Sequence, residues 1–461
     1  MVDVGKIRKI YFIGIGGIGM SALARYFRFH GKEVSGYDRS ETVLTRQLAA
    51  EGIAVHYDDN VEQAPRDADL VVYTPAIPGD HKELSFYRQN SYLLLKRSDV
   101  LGAITESSFN ICVAGTHGKT TVSAMTAHIL RHSGYGCNAF LGGISVNYNS
   151  NFWSDRRNVC VVEADEYDRS FLKLTPDIAV ITAMDPDHLD IYGTAEQVEQ
   201  AFIEFSGKVK TGGVVLSKYG LKRDRDLLAA RRLTYHLADG NADIYAENIR
   251  MAAGGYVFDV QRKEGWLLRN LVLHMGGMHN VENAAAAVAV ACELGIGEER
   301  IKNAIEAFRG VRRRFEYVLN IPASAGTRGL VFIDDYAHHP EELRALISGA
   351  RGLFPGLSCT VIFQPHLYSR TRDFAEGFAK SLDLADQVIL LPLYPARERP
   401  MEGVTSRLIL DKMHGRNKWM MDKKETLNWI KREPVEMLIT AGAGDIDGLV
   451  KPIMEILAKK N

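Results

Sequence analysis

The stretch Asn110-Ile-Cys-Val-Ala-Gly-Thr-His-Gly-Lys-Thr-Thr121 constrains this chain more than any other. The apolar run through Ala114 predicts a buried strand. Gly115-Thr116-His117-Gly118 predicts a tight loop, and Lys119-Thr120-Thr121 opens a helix reaching about His132. A strand that turns through glycines into a helix aims several backbone N–H groups, and the partial positive charge of the helix end, at one spot. That is an anion cradle. Within it Lys119 is a point charge for the outer phosphates of a nucleotide, and Thr120 offers a hydroxyl to Mg²⁺. Two residues separate the glycines here, where the standard P-loop has four. A plain glycine turn is the other reading, and it leaves Gly-Lys-Thr-Thr at the junction without a purpose.

A second glycine loop lies at the start. Lys9–Ile13 is strand-like, Gly14-Ile-Gly16-Gly17-Ile-Gly19 follows, and a helix runs over Met20–His30. A further strand, Glu33–Tyr37, ends at Asp38. Gly14, Gly16 and Gly19 fit G-x-G-x-x-G with an acidic residue about 20 positions on, the pattern of a βαβ unit that holds a nucleotide diphosphate. The pattern does not say which one. A nicotinamide dehydrogenase would rest on this motif alone and leave Lys119 idle. Downstream, the strand Asp69–Thr74 ends in Thr74-Pro-Ala76-Ile77-Pro78, which suits the rim of a nucleotide pocket. Arg97, after the strand Leu93–Leu95, fits either a diphosphate contact or an exposed surface position.

In the middle of the chain, Val159–Val162 runs into Glu163-Ala-Asp-Glu166, and Asp177–Thr182 runs into Asp185-Pro-Asp-His188. Ligands in open α/β sheets sit at the carboxyl ends of strands. Glu163 and His188 therefore reach the cleft of Lys119 and Thr120, where a carboxylate and an imidazole suit a divalent metal. A solvated strand-end carboxylate and a turn-capping histidine are the bland alternatives. Met275–Asn280 leads into the alanine-rich helix Val281–Val290, with His279, Asn280 and Asn283 on one face. Asn283 can read an adenine edge, and Asn280 can cap the helix. Gly310-Val-Arg-Arg-Arg314 spreads three arginines in different directions, so at most two face a site.

The last third alternates strand, polar loop and helix: Leu330–Ile333 before Asp334–Pro340, Cys359–Phe363 before Gln364–Arg370, Gln387–Leu391, and Val435–Thr440 before Ala441–Asp445. This predicts another doubly wound domain with its polar clusters at strand ends. The expected fold class is α/β with three domains: a Rossmann-like N-terminal domain (1–106), a P-loop-type central ATPase domain (107–318) and a Rossmann-like C-terminal domain (319–461).

At 461 residues the chain is too long for one core. A formal net charge of -1 gives no reason to expect nucleic acid or an anionic membrane as partner. No apolar run reaches the roughly 18 residues of a membrane span, and Met1–Lys6 has no signal-peptide core. Five scattered cysteines without a CxxC pair argue against a disulfide framework. These features predict a cytoplasmic protein; a monomer or weak homodimer is expected, though none of them fixes the oligomeric state.

Taken together and in order, Gly14–Met20, Ala114–Thr121, Glu163–Glu166, Asp185–His188, His279-Asn280, Arg314–Glu316, Asp335–His339 and Gln364–His366 resemble the Mur ligases over essentially the whole chain. The resemblance implies an ATP- and Mg²⁺-dependent acid–amino-acid ligase of peptidoglycan and cell-wall synthesis. It would join L-alanine to the lactyl carboxylate of UDP-N-acetylmuramate; the alternative is a ligase recycling murein tripeptide onto the same sugar nucleotide. Carried over by motif, Gly14, Gly16, Gly17, Gly19, Met20, Ser21, Asp38, Thr74, Ala76, Ile77 and Arg97 hold the UDP-sugar. Gly115 to Thr121 hold the ATP phosphates, with Asn283, Arg314 and Asp335 on adenine, terminal phosphate and ribose. Thr120, Glu163 and His188 ligate Mg²⁺. His338 and Arg370 place the amino acid, and Lys119, Arg314 and His338 are the catalytic candidates. Two departures stand out. Leu367 occupies a position where many members carry a second arginine, and Glu196–Phe205 lacks the lysine that sibling ligases carbamylate.

Overall fold

The computed structural model describes residues 6–186, 189–252, 254–322, 329–396 and 398–460. The chain divides into two compact units. One comprises Met1–Glu247, Asp259–Leu271 and Glu282–Phe308; the other comprises Asn248–Phe258, Val272–Val281 and Arg309–Asn461. Three sheets, counted among the described residues, give an α/β fold with a parallel or mainly parallel sheet in each of three domains.

The first sheet is built from β1 (Lys9–Ile13), β2 (Glu33–Tyr37), β3 (Ala54–His56), β4 (Leu70–Tyr73) and β5 (Leu94–Lys96), in the order β3-β2-β1-β4-β5. Helices α1 (Ile18–Phe29), α2 (Val43–Ala50), α3 (Lys82–Gln89) and α4 (Arg97–Glu106) connect them. Every pairing is parallel. The strand order reverses between β1 and β4, the place where open α/β sheets take their ligands at the carboxyl ends of the strands. Gly14, Asp38 and Thr74 stand at those ends. Helix α1 starts at Ile18, two residues before the expected Met20, because extended Gly17 already serves as its N-cap.

The central sheet takes β6 (Phe109–Ala114), β7 (Asn138–Ser145), β8 (Ser150–Trp153), β9 (Val159–Glu163), β10 (Ile178–Ile181), β11 (Val214–Lys218), β12 (Arg232–His236), β13 (Ile244–Ala252), β14 (Gly255–Arg262) and β15 (Leu267–Leu273). Their order is β15-β14-β13-β12-β11-β10-β6-β9-β7-β8. Helices α5 (Lys119–His132), α6 (Leu189–Tyr192), α7 (Ala195–Ser206), α8 (Met278–Glu293) and α9 (Glu298–Ala307) belong to this part of the chain. The adjacent parallel strands β10, β6 and β9 send their carboxyl ends to one edge. Ten consecutive residues of α5, Thr121 to Leu130, are buried. Apolar and small side chains on every face of that stretch let it pack all round, as a helix inside a layered domain does.

The third sheet has the order β16-β17-β21-β18-β19-β20, from β16 (Glu316–Ile321), β17 (Leu330–Asp335), β18 (Cys359–Phe363), β19 (Gln387–Leu390), β20 (Lys418–Met420) and β21 (Met437–Ala441). Its helices are α10 (Pro340–Leu353), α11 (Tyr368–Asp373), α12 (Ala375–Leu382), α13 (Arg407–Leu410), α14 (Lys423–Arg432) and α15 (Val450–Lys460). Only β16, at the edge, runs antiparallel among these pairings. Among the described residues no helix is long and apolar enough to cross a membrane.

Candidate active site

Gly115 (φ +137°) and Gly118 (φ +82°) take the left-handed backbone that the central loop requires. A Cβ on Gly115 would collide with the Thr182 hydroxyl and fall 2.7 Å from the Ala183 amide nitrogen, so the loop lies directly against the end of β10. Thr182 donates to Ala114 O at 3.1 Å and to His117 O, and Thr116 N donates to Ala183 O at 3.3 Å. Thr116 Oγ1 accepts from Asp185 N at 3.2 Å. His117 is exposed at the tip of the loop, and Thr121 is buried behind it.

Lys119 folds back over this loop. Its Nζ donates to Gly115 O at 2.6 Å and lies 2.7 Å from each oxygen of Glu166. Glu166 is 1% exposed. Burial raises its pKa, and Lys119 opposes that shift. Thr120 Oγ1 donates to Glu163 Oε1 at 2.8 Å. The other carboxylate oxygen, Oε2, accepts from Gly142 N on β7 at 2.7 Å and from Ser123 Oγ at 3.4 Å. Thr120 and Glu163 therefore present two hard oxygen donors side by side, the chemistry Mg²⁺ selects when nucleotide phosphates and water complete its shell. His188, the third expected ligand, lies outside the described residues. Asn283 on α8 sets Oδ1 3.0 Å from where a Cβ on Gly118 would sit, beside the loop. Asn280 does not cap α8. It is the third residue of that helix, and its amide donates to Gly276 O at 2.7 Å.

In the first domain Gly14 (φ +88°) and Ile15 both donate to Tyr37 O, at 2.8 and 2.9 Å. Asp38 Oδ2 accepts from Gly16 N at 2.7 Å. The acidic residue thus shapes the glycine loop from within. Thr74 and Ile77 flank Gly14, 3.2 and 3.1 Å from a would-be Cβ, and Ala76 is exposed on the turn they close. Gly17 N donates to Gly14 O at 3.2 Å. Arg97 lies across Gly19, with Nη1 2.9 Å from where a Cβ would be and Nη2 4.0 Å from Asp165 Oδ2. Met20 and Ser21 are buried; the Ser21 hydroxyl donates to Ile18 O at 2.9 Å, so both side chains turn inward from the loop.

In the C-terminal domain Asp335 closes β17. Its oxygens accept from Phe315 N at 2.6 Å and Ala337 N at 2.7 Å, and burial raises its pKa. His338 Nδ1 lies 2.9 Å from Tyr336 O, and Glu342 Oε2 accepts from the His338 and His339 amides at 2.9 and 3.0 Å. Burial depresses the His338 pKa, with Arg370 and Arg314 pushing the same way. Arg314 and Arg313 both sit over the Tyr336 ring, 5.5 and 4.9 Å from its centroid. Arg313 is turned into the fold, reaching Gly442 O and lying 3.6 Å from Asp334 Oδ2. Leu367 has φ +69°, a conformation rare for a side chain branched beyond Cβ, and its N–H donates to Tyr394 O at 3.0 Å.

Three partners carried no assigned role in the sequence reading: Glu166, Gly142 and Glu342. Glu166 had a usable signal, since it lies in the acidic run after β9. Gly142 had none, because a backbone N–H has no side chain to announce it.

Glycine loop with its lysine, paired hydroxyl and carboxylate, and glycine-loop first domain together have the features of a nucleotide-binding α/β protein. Three family profiles match in sequence: the Mur ligase family catalytic domain over 9–108, the Mur ligase middle domain over 113–291, and the Mur ligase glutamate ligase domain over 313–444. The chain belongs to the Mur ligase family. More particularly, it is 47% identical to the UDP-N-acetylmuramate–L-alanine ligase of Phocaeicola vulgatus, over 100% of both chains. It is 46% identical to that of Cytophaga hutchinsonii, covering 98% of this chain and 97% of the relative. Among solved structures, the UDP-N-acetylmuramate–alanine ligase MurC of Thermotoga maritima superposes with a TM-score of 0.81 at 29% identity, over 98% of this chain and 100% of that one. A murein peptide ligase of Psychrobacter arcticus shares the fold, with a TM-score of 0.67 at 21% identity over 98% of each chain.

Proposed function

We propose that this chain joins L-alanine to the lactyl carboxylate of UDP-N-acetylmuramate, converting ATP to ADP and phosphate, in the cytoplasmic stage of peptidoglycan synthesis. The observation that carries the reading is identity of 46 to 47% along 98 to 100% of the chain to relatives of that name. The Lys119 turn and the Thr120–Glu163 pair support the nucleotide half of it.

The division of labour follows the proposed domains 1–106, 107–318 and 319–461. The glycine loop (Gly14, Gly16, Gly17, Gly19), with Asp38, Thr74, Ala76, Ile77 and Arg97, binds the UDP-sugar, and Met20 and Ser21, whose side chains are buried, contribute the backbone of the first turn of α1 to the same site. Gly115 to Thr121 cradle the ATP phosphates, Asn283 meets adenine and Asp335 the ribose. The lactyl carboxylate attacks the γ-phosphorus, the bond to the β-phosphate oxygen breaks, and an acyl phosphate and ADP result. Lys119 and Arg314 neutralise charge that develops on the transferring phosphoryl group. Mg²⁺, when bound by Thr120, Glu163 and His188, supplies further neutralisation of the phosphates. The alanine amine, placed by Arg370 and relieved of a proton by His338, attacks the acyl carbon. A tetrahedral intermediate collapses with loss of phosphate. The protein positions groups and excludes water from the acyl phosphate.

The test is ADP formation by the purified chain, expected only when UDP-N-acetylmuramate and L-alanine are both present. Competing L-alanine against the murein tripeptide separates this ligase from a recycling one; preference for the tripeptide overturns the reading. Gel filtration with and without substrates tests the monomer or weak homodimer expected for the enzyme.

A further inference from the structure

The buried amide of Asn151 joins two regions that the proposed reaction uses separately. Asn151 lies on β8 and is fully buried. Its Nδ2 donates to Ile18 O at 2.5 Å and lies 3.5 Å from Ser21 Oγ. Its Oδ1 accepts from Arg25 Nη1 at 2.9 Å. Ile18, Ser21 and Arg25 are spaced i, i+3 and i+7, so they share one face of α1. Arg25 is fixed in turn by a two-point pair with Glu51, at 2.7 and 2.9 Å. One amide therefore grips the helix whose first turn belongs to the first glycine loop.

The other end of the same hairpin reaches the metal carboxylate. Strand β8 pairs antiparallel with β7 at Phe140 and Phe152. Tyr26 of α1 packs on both rings, with centroids 5.4 and 6.3 Å away. Two residues beyond Phe140, Gly142 N donates to Glu163 Oε2. No side chain fits at Gly142, because a Cβ there would collide with the Glu163 carboxylate. The path from Ile18 through Asn151, the hairpin and Gly142 to Glu163 and Thr120 consists of hydrogen bonds and packed rings, buried at Asn151, Phe140 and Phe152 and reaching the surface at Gly142. Such contacts transmit displacement because a packed interior does not absorb it.

We propose that Asn151 is a positioning residue that sets the first glycine loop in register with the Glu163 carboxylate, and so sets the approach of the lactyl carboxylate to the γ-phosphate. This rests on the ligase reading above. Each substrate meets its own loop without Asn151; the amide fixes the geometry between them. Near-attack geometry is steep, with displacement of about 1 Å worth up to roughly 10²-fold in rate.

The experiment uses the full chain and the Asn151→Ala variant. The unaltered chain is first shown to form ADP only with both substrates present; if it does not, the ligase reading fails before this proposal is tested. Binding of UDP-N-acetylmuramate alone, and of a non-hydrolysable ATP analogue alone, is then measured by calorimetry. The expected result is that each dissociation constant stays within about threefold while kcat at saturation falls about tenfold or more. Unchanged kcat in a folded variant, or a loss confined to KM for one substrate, overturns the proposal. Should Asn151→Ala not fold, the isosteric Asn151→Asp, which keeps the Arg25 contact and gives up the Ile18 donor, is read by the same criterion.

Discussion

Lys119 Nζ sits 2.7 Å from both oxygens of Glu166 and 2.6 Å from the carbonyl of Gly115, so the ammonium is held by a buried carboxylate at the centre of its own loop. A triphosphate entering the cradle competes for that ammonium with charge-assisted bonds of its own. Lys119→Ala should lower kcat/KM about 10²- to 10³-fold, the scale of losing one preorganised donor to developing charge. It also leaves Glu166 buried without its cation. Burial already raises the Glu166 pKa, and without Lys119 it rises further. Stability contributed by the protonated acid is present at low pH and lost as pH rises through that raised value. The melting deficit of Lys119→Ala should therefore be larger at pH 8 than at pH 5.5, and Glu166→Gln in the same chain should remove the difference. Near-normal ADP release by Lys119→Ala would sink the assignment.

The Thr120 hydroxyl and the Glu163 carboxylate, 2.8 Å apart, are proposed to share one Mg²⁺. Thr120→Ser keeps the oxygen and should keep activity, whereas Thr120→Val removes it at nearly constant volume. Glu163→Gln keeps one acceptor oxygen, enough for Gly142 N, and removes the charge and the second oxygen that faces Thr120. Both Thr120→Val and Glu163→Gln should raise the Mg²⁺ concentration for half-maximal activity about tenfold or more, the first by removing an oxygen ligand and the second by removing the ligand's charge. Titrating activity against Mg²⁺ at fixed ATP gives the answer. Identical midpoints in all three variants would remove the pair from the metal site.

The parts of this site legible in sequence share a property: they are consecutive residues at strand ends. Gly115 to Thr121 and Glu163 announce themselves because glycine, lysine and carboxylate are unusual at the end of an apolar strand. The helix expected from Lys119 to about His132 spans those residues. The hairpin β7–β8 did not stand out, because Asn138-Ala-Phe-Leu-Gly-Gly-Ile-Ser145 mixes a polar start with two glycines and shows no alternation. Its pairing comes from tertiary packing of Phe140 and Phe152 against Tyr26. The antiparallel edge strand β16 was hidden similarly, directly after the arginine run. In the arginine run itself, spacing left open which side chain turns inward; Arg313 does so because Asp334 and the Gly442 carbonyl receive it.

Asp334 is 1% exposed, accepts from Thr440 Oγ1 at 2.5 Å, and burial pushes its pKa up to about 7. Between roughly pH 4 and that value the folded state binds more protons than the unfolded chain, so stability falls as pH rises across the window. Asp334→Asn keeps the Thr440 bond and removes the proton. It should flatten this slope and leave the variant more stable than the unaltered chain at pH 8. The upper bound is about 4 kcal/mol from the size of the shift, reduced by the lost Arg313 pairing. Near pH 4 the advantage should shrink toward nothing. Urea unfolding at pH 5 and pH 8 measures it, and a larger advantage at the lower pH would contradict the sign.

A Cβ on Gly16 would lie 2.7 Å from Thr45 Cγ2 and 2.8 Å from Asp38 Oδ2, distances real Cβ atoms do not tolerate. Gly16→Ala must therefore push Asp38 off the loop amide it holds and open the loop. The KM for UDP-N-acetylmuramate should rise about tenfold or more, the effect of a lost charged hydrogen bond plus a displaced backbone. Binding of an ATP analogue, proposed to use the second loop, should be unaffected. Fluorescence or calorimetric titration of each ligand separately distinguishes a local effect from general unfolding, in which case both affinities collapse together.

His338 Nδ1 faces the Tyr336 carbonyl at 2.9 Å, and a carbonyl accepts only, so that nitrogen carries the ring proton in the neutral form. Nε2 then holds the lone pair and is the atom able to take a proton from an amine. Burial lowers the His338 pKa, Arg370 and Arg314 lower it further, and Glu342 opposes them. A base with a depressed pKa stays deprotonated, hence active, until pH falls below the ordinary histidine value. The acid limb of kcat should therefore have its midpoint below pH 6.5. Glu342→Gln removes the charge that favours the imidazolium and should move this limb to still lower pH. His338→Gln should cost about 10²- to 10⁴-fold in kcat, the usual worth of a positioned general base, and abolish the limb while leaving KM for ATP unchanged. A pH–rate profile of His338→Gln with the same acid limb as the unaltered enzyme would assign the proton to another group.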